Sequence, residues 1–438
     1  MTSVAVATLG CKVNQYESAG ILEILKEHGF TPIPFARAAD VYIINTCTVT
    51  GKSDYQSRQL IRRALKNNPR AAVIVTGCYA QVVPEEIARI PGVAIVAGNV
   101  EKGDILQLVR AAARGEKKTV FSDIRQVKEF STPAVATFPG RTRAFLKIQD
   151  GCDTFCSYCI VPYARGKSRS LPERDVLDRV VSLSRAGYRE LVLTGVNLGA
   201  YGRDLNPAAN LFALLCRIEQ VRPVPRLRLS SLEPLEITGD MLSLIRDAGC
   251  FCRHFHIPLQ SGDDRILSLM RRNYDADFFR SLVEKILAGL PDAAIGVDIM
   301  VGFPGEGEAE FANTRRLIEE LPVAYLHVFP YSPRPGTPAS LLPAQVAEVV
   351  KKKRVQIMRD LSGKKRETFA GRFLGKELAV LLEERRDRDT GRMQGYSHNY
   401  IPVMVTNGES SLANALVRVV PADIREGKLV GRIIEHHE

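Results

Sequence analysis

Residues 151–159 read GCDTFCSYC, a loop sequence that places Cys152, Cys156 and Cys159 in a C-x3-C-x2-C spacing. Three thiolates on one short loop can hold three irons of a cubane iron–sulfur cluster, which normally takes four cysteine ligands. The remaining iron then keeps an open position, and an open position on a metal is where a reacting molecule binds. A structural zinc site is the alternative, but zinc sites are often built from two C-x2-C halves, and this loop holds one.

Three more cysteines stand nearer the amino terminus, where Cys11, Cys47 and Cys78 each follow a short apolar run. Helical patterns separate these runs; the first contains Asn14 and Glu17 at the spacing of a helix capping box. Strands that alternate with helices indicate crossover connections and a parallel sheet. Because the carboxyl ends of parallel strands share one edge, we expect the three cysteines to converge there. The alternative for any one of them is a free cysteine buried in the core.

The alternation of strands and helices resumes at the loop itself. Strand candidates begin near residues 144, 191, 227, 255, 295 and 325. Six units are too few for a closed eight-stranded barrel, so the pattern predicts a partial barrel with its working face at the strand carboxyl ends. Small or polar residues at these ends are candidate cofactor contacts, although each can also be a cap or turn residue: Thr194, Gly195, Ser230, Glu233 and Gln260.

From about residue 375 the pattern changes to short strands separated by polar turns, which predicts a small β-barrel. Tyr396 lies near one of the turns, and Arg392 is close by. Aromatic and arginine side chains suit the stacking and phosphate contacts of RNA recognition, although aromatic residues in strands also pack in cores. The predicted fold class is therefore α/β, with four segments: an α/β domain (1–115), a linker (116–137), a partial barrel (138–372) and a β-barrel (373–438).

The chain has 60 Lys and Arg residues against 49 Asp and Glu, which gives a formal net charge of +11. This excess is compatible with a polyanionic partner, and equally with a soluble basic surface. No apolar run approaches the ~18 residues of a membrane span, and the first residues lack the charged region of a signal peptide. Nine cysteines are too few and too dispersed for a secreted disulfide scaffold. We therefore expect a cytoplasmic protein without a membrane partner.

The order of these parts resembles the radical-SAM methylthiotransferases, and the resemblance covers the whole chain. The loop, with Tyr158 before its last cysteine, is similar to the cluster loop of radical S-adenosylmethionine (SAM) enzymes, and the last module resembles an RNA-binding TRAM domain. Residues 9–17 (LGCKVNQYE) and 395–403 (GYSHNYIPV) are similar to the branch that acts on N6-threonylcarbamoyladenosine in tRNA. The residues after Cys11 fit neither the QMN of the isopentenyladenosine branch nor the PKN of the branch that modifies a ribosomal-protein aspartate.

The resemblance implies that the protein replaces the C2 hydrogen of adenosine 37 in tRNA with a methylthio group. It implies SAM and two [4Fe–4S] clusters, one on each cysteine set, with no catalytic side chain beyond the cluster ligands. The loop cluster would cleave SAM to a radical that abstracts the hydrogen, and the second cluster would hold the incoming sulfur. The implied partners are the anticodon arm of tRNA, an electron donor such as flavodoxin or ferredoxin, and a sulfur donor.

The threonylcarbamoyl group carries a carboxylate, so its pocket should offer cationic or polar donors, because a buried unpaired carboxylate is costly. Several cations lie beside the cluster-bearing loops and are candidates, although each can also be a solvated surface residue: Lys12, Arg165, Lys167 and Arg169. The resemblance leaves two alternatives open: the same chemistry on isopentenyladenosine-37 tRNA or on a ribosomal-protein aspartate, and a noncatalytic RNA-binding iron–sulfur protein.

Overall fold

Strands and helices alternate along most of the chain, and short strands follow at its carboxyl-terminal end. The computed structural model describes residues 2–436. The strands are β1 (Ser3–Thr8), β2 (Thr31–Pro32), β3 (Val41–Thr46), β4 (Ala72–Gly77), β5 (Val93–Ala97), β6 (Lys118–Val120), β7 (Arg143–Lys147), β8 (Gln149–Asp150), β9 (Arg169–Ser170), β10 (Glu190–Thr194), β11 (Arg226–Leu229), β12 (His254–Gln260), β13 (Ala294–Val301), β14 (Tyr325–Pro330), β15 (Leu378–Leu382), β16 (Gln394–Ser397), β17 (Pro402–Val405), β18 (Leu416–Arg425) and β19 (Lys428–His436).

The α-helices connect these strands and cover the faces of the sheets. They are α1 (Lys12–Glu27), α2 (Gly51–Asn67), α3 (Cys78–Val82), α4 (Pro84–Ala88), α5 (Ile105–Ala113), α6 (Val161–Arg165), α7 (Glu173–Arg185), α8 (Leu211–Val221), α9 (Gly239–Asp247), α10 (Asp264–Leu269), α11 (Ala276–Gly289), α12 (Glu308–Glu320) and α13 (Glu348–Gly371). Short 3-10 helices lie at Glu101–Asp104, Leu198–Ala200, Pro234–Glu236, Pro338–Leu341 and Ser410–Leu412. None of the helices in the described part of the chain is long and apolar enough to cross a membrane.

The amino-terminal domain is a parallel sheet with the strand order β2-β1-β3-β4-β5-β6. Strand β3 is buried along its whole length because both of its faces are covered, as parallel sheets require. Tyr42 and Ile44 pack towards α2 on one face, and Val41 and Ile43 pack towards α1 and α5 on the other. The segment predicted to be a linker, 116–137, begins with β6, which pairs with β5 at the edge of this sheet.

The middle of the chain forms two three-stranded parallel sheets, with the orders β11-β10-β7 and β12-β13-β14. The two sheets meet where Leu227 pairs with Phe251 and where the Leu232 N–H donates to the carbonyl oxygen of His256 at 3.0 Å. Six parallel strands therefore curve into an open barrel, and the predicted partial barrel is confirmed. The antiparallel pair β8 and β9 lies on either side of the cysteine loop, 151–159, and joins its two ends.

The carboxyl-terminal strands close into a barrel with the order β15-β16-β17-β19-β18, which confirms the predicted small β-barrel. Its core is continuous with the partial barrel, because Ala294 and Ala324 pack in the same apolar cluster as Phe369, Phe373 and the β-barrel strands. The predicted α/β fold class is thus confirmed. The β-barrel and the partial barrel share one apolar core and therefore pack as connected domains.

Arginines at the amino ends of the partial-barrel strands fix the β-barrel in place. Arg226 Nη1 donates to the carbonyl oxygen of Tyr396 at 2.9 Å, and Arg228 Nη1 donates to that of His398 at 3.2 Å. Glu190, which is completely buried, accepts from Arg228 Nε at 2.8 Å and lies 3.5 Å from Arg226. Burial opposes ionisation of Glu190, but the arginines outweigh it and lower the pKa of the carboxyl group. One carboxylate therefore balances the cations at this joint.

Replacing Glu190 with glutamine should destabilise the protein, because it leaves the buried guanidinium groups of Arg226 and Arg228 without their counter-ion. Breaking a buried ion pair in this way typically costs about 3–5 kcal/mol of folding free energy. The measurement is anaerobic urea unfolding of the Glu190→Gln variant. The matched control is Glu377→Gln, because Glu377 pairs with Arg418 on the surface, where such pairs contribute about 0–1 kcal/mol. Equal losses for the two variants would contradict this account of the joint.

Candidate active site

Cys11, Cys47 and Cys78 come together at the carboxyl edge of the amino-terminal sheet, as the sequence predicts. Each follows one of the three adjacent strands β1, β3 and β4. A Cβ atom built on Gly10 would lie 2.9 Å from Cys47 Sγ, and the φ angle of Gly10 is +98°. Only glycine permits both this backbone conformation and this close approach. Gly10 therefore lets the backbone next to Cys11 pack closely against Cys47.

The loop cysteines lie on the other side of the same region, in the partial barrel. The loop is anchored at both ends, because the Cys152 N–H donates to the carbonyl oxygen of Gly166 at 3.0 Å and the Ser157 N–H to that of Met270 at 3.1 Å. Arg272 Nη1 donates to Cys156 Sγ at 3.2 Å, so one ligand sulfur already has a cationic hydrogen-bond partner. Hydrogen bonds to ligand sulfurs are one of the means by which proteins adjust iron–sulfur clusters.

The spacing of both cysteine sets suits a cluster better than a single zinc ion. In residues 2–436, the only three His, Cys, Asp or Glu side chains with ligand atoms all within 4.8 Å of one another are His256, Asp298 and His327. Neither cysteine set is gathered that tightly, whereas tetrahedral zinc with Zn–S bonds of ~2.3 Å needs sulfurs about 3.8 Å apart. A cubane holds its ligands on separate irons and therefore farther apart. This geometry disfavours the zinc alternative.

The thiols also need a positive charge to become ligands. Burial raises the pKa of Cys47 to about 12, and the neighbouring Cys78 adds to this effect. Burial likewise raises the pKa of Cys159 to about 12, with Cys156 as the next cause. Thiols that are buried side by side do not ionise readily on their own, and bound iron would supply the missing positive charge. The donor sets therefore fit two iron–sulfur clusters.

A buried ionic network connects the two cysteine sets through Arg165. Arg165 Nε donates to Cys78 Sγ at 3.4 Å, although Arg165 follows the loop cysteines in the chain. Its Nη1 donates to Glu17 Oε1 at 2.7 Å and to Asp150 Oδ1 at 3.0 Å, and its Nη2 donates to Asn14 Oδ1 at 2.5 Å. The side chain is 2% exposed. Arg165 thus joins the amino-terminal domain to the partial barrel at the point between the cysteine sets.

Two lysines complete this cluster, which we name the Arg165 network: Glu17, Lys102, Lys147, Asp150 and Arg165. Lys102 Nζ lies 2.5 Å from Glu17 Oε2, and Lys147 Nζ lies 2.8 Å from Glu17 Oε1 and 2.7 Å from Asp150 Oδ2. Burial opposes ionisation of Glu17, but the surrounding cations hold its pKa well below the usual range. Both carboxylates are therefore charged, and the network has more cations than anions.

Most of the predicted cofactor residues gather at the edge that carries the loop. Thr194 ends β10, and Gly195 follows it so close to Gln149 that a Cβ atom on Gly195 would lie 2.7 Å from Gln149 Oε1. Ser230 follows β11, and its buried hydroxyl has no hydrogen-bond partner in the described part of the chain. A buried hydroxyl without a partner is costly unless a ligand or a water satisfies it. This orphaned group is the observation that favours a bound molecule at this edge.

Glu233 lies beside the loop but is already paired with Arg272, the donor to Cys156. The two residues line a cavity of about 200 Å³ that also contacts Thr154 and Glu236. Burial, and then the proximity of Glu233, raises the pKa of Glu236 to about 7. Sequence patterns do not predict a role for Arg272 or Glu236, because neither belongs to a spacing pattern.

The other two predicted cofactor residues are Tyr158, in the cysteine loop, and Gln260, in β12. Tyr158 is half-buried and packs against the apolar cluster that contains Met270 and Phe303. Gln260 ends β12 with a φ angle of +69°, a left-handed conformation that is uncommon outside glycine. The structure thus places both residues near the strand ends, and it gives Tyr158 a packing role behind the loop.

The four cations predicted to bind the substrate differ in whether their side chains already have protein partners. Arg165 is committed to its network, and Arg169 is buried with its Nη2 donating to the Arg165 carbonyl oxygen at 2.6 Å. Both side chains therefore already have protein partners, and a contact of either one with the substrate stays a prediction. Lys167 is exposed. Lys12 has no hydrogen bond or ion pair among residues 2–436, so an anion would displace no protein partner from it. Burial lowers the pKa of Lys12, and a bound anion would favour its charged form.

Tyr396, predicted to contact RNA, lies in the joint between the two barrels. Its ring stacks on Tyr400 with centroids 4.8 Å apart, and the guanidinium carbon of Arg143 lies 4.6 Å from the centroid of the Tyr396 ring. The aromatic turn thus packs against the partial barrel, whose arginines provide a cation–π partner, and an RNA contact of Tyr396 stays a prediction. Arg392 is partly exposed, and its side chain has no hydrogen bond or ion pair within the described range 2–436.

The interior of the partial barrel is lined by polar rings and charges. Phe255 and Ile257 of β12 pack outward into the core, so His254 and His256 point inward. His256 Nε2 lies 2.7 Å from Asp298 Oδ1, and the His256 and His327 rings are 4.9 Å apart. These are the three residues spaced closely enough for one metal ion. Burial and neighbouring cations lower the pKa of both His254 and His327, and Lys12 is among those cations. A surrounding excess of cations suits an anion better than a divalent metal.

The fold of the partial barrel and the cysteine loop define a radical SAM protein. The Radical SAM superfamily model matches residues 146–318, and a model described as uncharacterized protein family UPF0004 matches residues 3–98. A solved structure with the same fold is the radical SAM methyltransferase TsrM of Kitasatospora setae, with cobalamin and a [4Fe–4S] cluster bound. Its TM-score is 0.59 at 17% identity, over 78% of this chain and 77% of that chain.

Curated relatives match nearly the whole chain. Threonylcarbamoyladenosine tRNA methylthiotransferase MtaB of Bacillus subtilis is 40% identical over 99% of this chain and 98% of its own length. The Aquifex aeolicus protein of the same name is 42% identical over 87% and 93%, and the Thermotoga maritima protein is 36% identical over 99% and 100%. The chain belongs to the threonylcarbamoyladenosine tRNA methylthiotransferase family. Membership implies SAM, a [4Fe–4S] cluster and normally a second cluster, which the two cysteine sets fit.

Replacing Cys152, Cys156 and Cys159 together with alanine should halve the iron content of the anaerobically purified protein and abolish SAM cleavage. Replacing Cys11, Cys47 and Cys78 together should also halve the iron but spare reductive SAM cleavage, because the cleaving cluster is on the loop. The measurements are iron and sulfide analysis with chromatographic detection of the cleavage product. The control is Cys216→Ala, because Cys216 lies on α8 away from both sets. A full iron load in either triple variant would show that the ligand assignment is wrong.

Proposed function

We propose that the protein transfers a methylthio group to C2 of N6-threonylcarbamoyladenosine at position 37 of tRNA. The observation that carries this proposal is the Arg165 network, which holds two separate cysteine sets on facing edges of two domains. One set in a radical SAM loop and one at the end of a parallel sheet match the need for a hydrogen-abstracting centre and a sulfur-holding centre. The names of the curated relatives support the same reaction and substrate.

The cofactors supply the difficult chemistry: when bound, SAM and the two clusters provide radical hydrogen abstraction and the sulfur and methyl groups. The protein's own residues bind and orient. We propose that Ser230 and Glu233, which is paired with Arg272, contact SAM at the strand edge, together with Thr194, Gly195 and Gln260. Arg272 and Arg165 donate to ligand sulfurs on the two sides, at Cys156 and Cys78, and hold those sulfurs in position. We assign no side chain as an acid, a base or a nucleophile.

The partners follow from the reaction. The anticodon arm of tRNA must reach the edge between the cysteine sets, an electron donor such as flavodoxin or ferredoxin must reduce the loop cluster, and a sulfur donor must resupply the other. The net charge of +11 favours a polyanion. Arg392, a partly exposed residue of the TRAM-like β-barrel, is a candidate phosphate contact. We place the reaction in the cytoplasm, where tRNA is modified.

Lys12 is the cation best placed to bind the carboxylate of the threonylcarbamoyl group. It directly follows Cys11, and it lies close enough to Tyr400, Arg143 and Arg228 for their charges to affect its pKa. Those arginines are already paired with Glu190 or Glu383, whereas Lys12 has no counter-ion among residues 2–436. A carboxylate that entered the partial barrel would supply one.

The substrate assignment is tested by supplying the reconstituted enzyme with tRNA that carries threonylcarbamoyladenosine or isopentenyladenosine at position 37. We expect the methylthio product from the former alone, because the cationic interior suits a carboxylate and disfavours an apolar isopentenyl group. Nucleoside mass spectrometry after digestion measures both products. Unmodified tRNA is the control for background. Product from isopentenyl tRNA alone would overturn the substrate and leave the radical chemistry standing.

Replacing Lys12 with glutamine should raise the KM for threonylcarbamoyl tRNA by about tenfold or more, because a hydrogen bond to a charged group contributes roughly 1.5–3 kcal/mol. The control is Lys167→Gln, an exposed lysine near the loop cysteines, for which we expect an unchanged KM. A second substrate, with the threonyl carboxylate converted to an amide, should be used equally well by wild type and Lys12→Gln. Iron analysis verifies that the neighbouring Cys11 is still occupied. The same loss on both substrates would contradict a carboxylate contact.

A further inference from the structure

Helix α2 presents a basic stripe to solvent. Its buried side chains, which include Ile61 and Ala64, pack on the sheet, and its opposite face is exposed. The exposed positions recur at helical spacing, so they lie along one line. We name this line the α2 stripe, and it consists of Lys52, Tyr55, Gln59, Arg62, Arg63 and Lys66.

The α2 stripe has four cations and no acid. The one acidic residue of the helix, Asp54, is turned inward and paired with Arg334. Arg58, on the flank, is paired with Glu86. The four cations of the stripe form no ion pair among residues 2–436. Exposed cations elsewhere are mixed with acids: on α13 the exposed lysines alternate with Glu348, Asp360 and Glu367.

The stripe begins beside the sulfur-holding cysteines and is held rigidly there. Helix α2 starts at Gly51, four residues after Cys47, and the side chain of Thr50 caps it. The Gly51 N–H donates to Ser332 Oγ at 3.0 Å, and Arg334 Nη2 donates to Thr48 Oγ1 at 2.9 Å, so the partial barrel fixes the start of the helix. From Lys52 to Lys66 the stripe is about 21 Å long at 1.5 Å per residue.

We propose that the α2 stripe binds the sugar–phosphate backbone of the tRNA next to the target nucleotide. This inference rests on the proposed function, which brings nucleotide 37 to the cysteine edge. Lys52 would then contact the phosphates nearest to nucleotide 37, and Lys66 would contact those farthest away. Arg62 and Arg63 suit phosphates because the guanidinium group donates two parallel hydrogen bonds. Tyr55, which is 55% exposed, offers a ring on which an unpaired base stacks.

The composition of the stripe favours RNA over an acidic protein partner. Protein interfaces have a buried apolar core, and lysine is depleted from them. The α2 stripe instead has four cations, one amide and a single aromatic ring, and nothing on it resembles an apolar core. A row of unpaired cations with an interposed aromatic residue is the arrangement that tracks single-stranded nucleic acid. An acidic electron-donor protein is the competing partner, and the experiment separates the two.

The test compares two variants of the full-length, cluster-loaded enzyme. The first replaces the stripe cations: Lys52→Gln, Arg62→Gln, Arg63→Gln and Lys66→Gln. The second is matched in charge and in helix propensity on α13: Lys352→Gln, Lys353→Gln, Arg359→Gln and Lys364→Gln. Iron content and thermal unfolding verify that both are folded. The affinity for tRNA bearing threonylcarbamoyladenosine is measured from low to high salt.

For the α2 variant we expect a Kd at least about tenfold higher at physiological salt, and a slope of log K against log salt that is smaller by about 3, because four phosphate contacts are lost. The α13 variant should bind as the wild type does. An unchanged slope in the α2 variant, or equal losses in both variants, overturns the proposal. Unchanged tRNA affinity with slower reduction by an acidic donor protein also overturns it and assigns the stripe to that donor.

Backbone footprinting locates the contact. Wild-type protein should protect a run of phosphates that begins at nucleotide 37, and Lys52→Gln and Lys66→Gln should expose opposite ends of that run. Protection confined to a distant part of the tRNA overturns the proposal. If wild type binds and protects the tRNA but forms no methylthio product, the proposed function fails while the α2 stripe stands. If product forms and the α2 variant binds normally, the stripe fails while the function stands.

Discussion

The Arg165 network is the interaction on which the arrangement of this protein depends. Five ionised side chains are removed from water there, and a charge without partners in such a place costs several kcal/mol. The cost is offset only because each of the two carboxylates accepts from two or more cations. Its members come from α1, α6, β7, β8 and the 3-10 helix at 101–104, which belong to both domains. Separating the domains would leave these charges unpaired, so the distance between the cysteine sets is fixed.

The excess of cations in this network is balanced by the sulfur ligands beside it. Arg165 donates to Cys78, and burial opposes its charge while Asp150, Glu17 and Cys78 raise its pKa well above the usual range. Arg272 plays the same part at Cys156 on the other side. Each cysteine set thus has one guanidinium group against one of its sulfurs. Two clusters with thiolate ligands are anionic groups in a buried place, and these arginines supply fixed counter-charges.

A buried ion-pair cluster also joins the β-barrel to the partial barrel, where Glu190 balances Arg143 of β7 and Arg226 and Arg228 of β11. Here the sequence pattern points to RNA, whereas the structure shows a contact between the two barrels. Aromatic and arginine residues near a turn have the composition of an RNA-binding surface, but their partners Arg143 and Arg228 are more than 160 residues away in the chain. Composition cannot tell whether an aromatic ring faces a nucleotide or a neighbouring domain, because both offer a cation or a flat surface to it.

Sequence patterns located both cysteine sets and the order of the three domains, because strand ends and short loops are encoded locally. They failed for Asn14 and Glu17, which have the spacing of a capping box. Helix α1 begins at Lys12 with Cys11 as its N-cap, and no side chain caps it. Both residues are buried and point instead to Arg165, 148 residues beyond Glu17. The spacing of residues along a helix cannot reveal partners of this kind, because they are far apart in the sequence and meet only in the folded chain.

Net charge is a poor guide to a binding surface unless the paired cations are first set aside. Several arginines of this chain are buried and balanced by acids, among them Arg165, Arg228, Arg272, Arg334 and Arg354. These side chains add to the formal charge of +11 but do not attract a ligand, because their fields are cancelled within a few ångströms. The cations that can attract a ligand are therefore those without an ion pair, and the position of each one determines what it can bind. In the part of the chain that the structure describes, Lys12 has no ion pair and faces the partial barrel, where it can meet one small anion, whereas the cations of the α2 stripe have no ion pairs along a solvent-facing line, where they can meet a chain of phosphates.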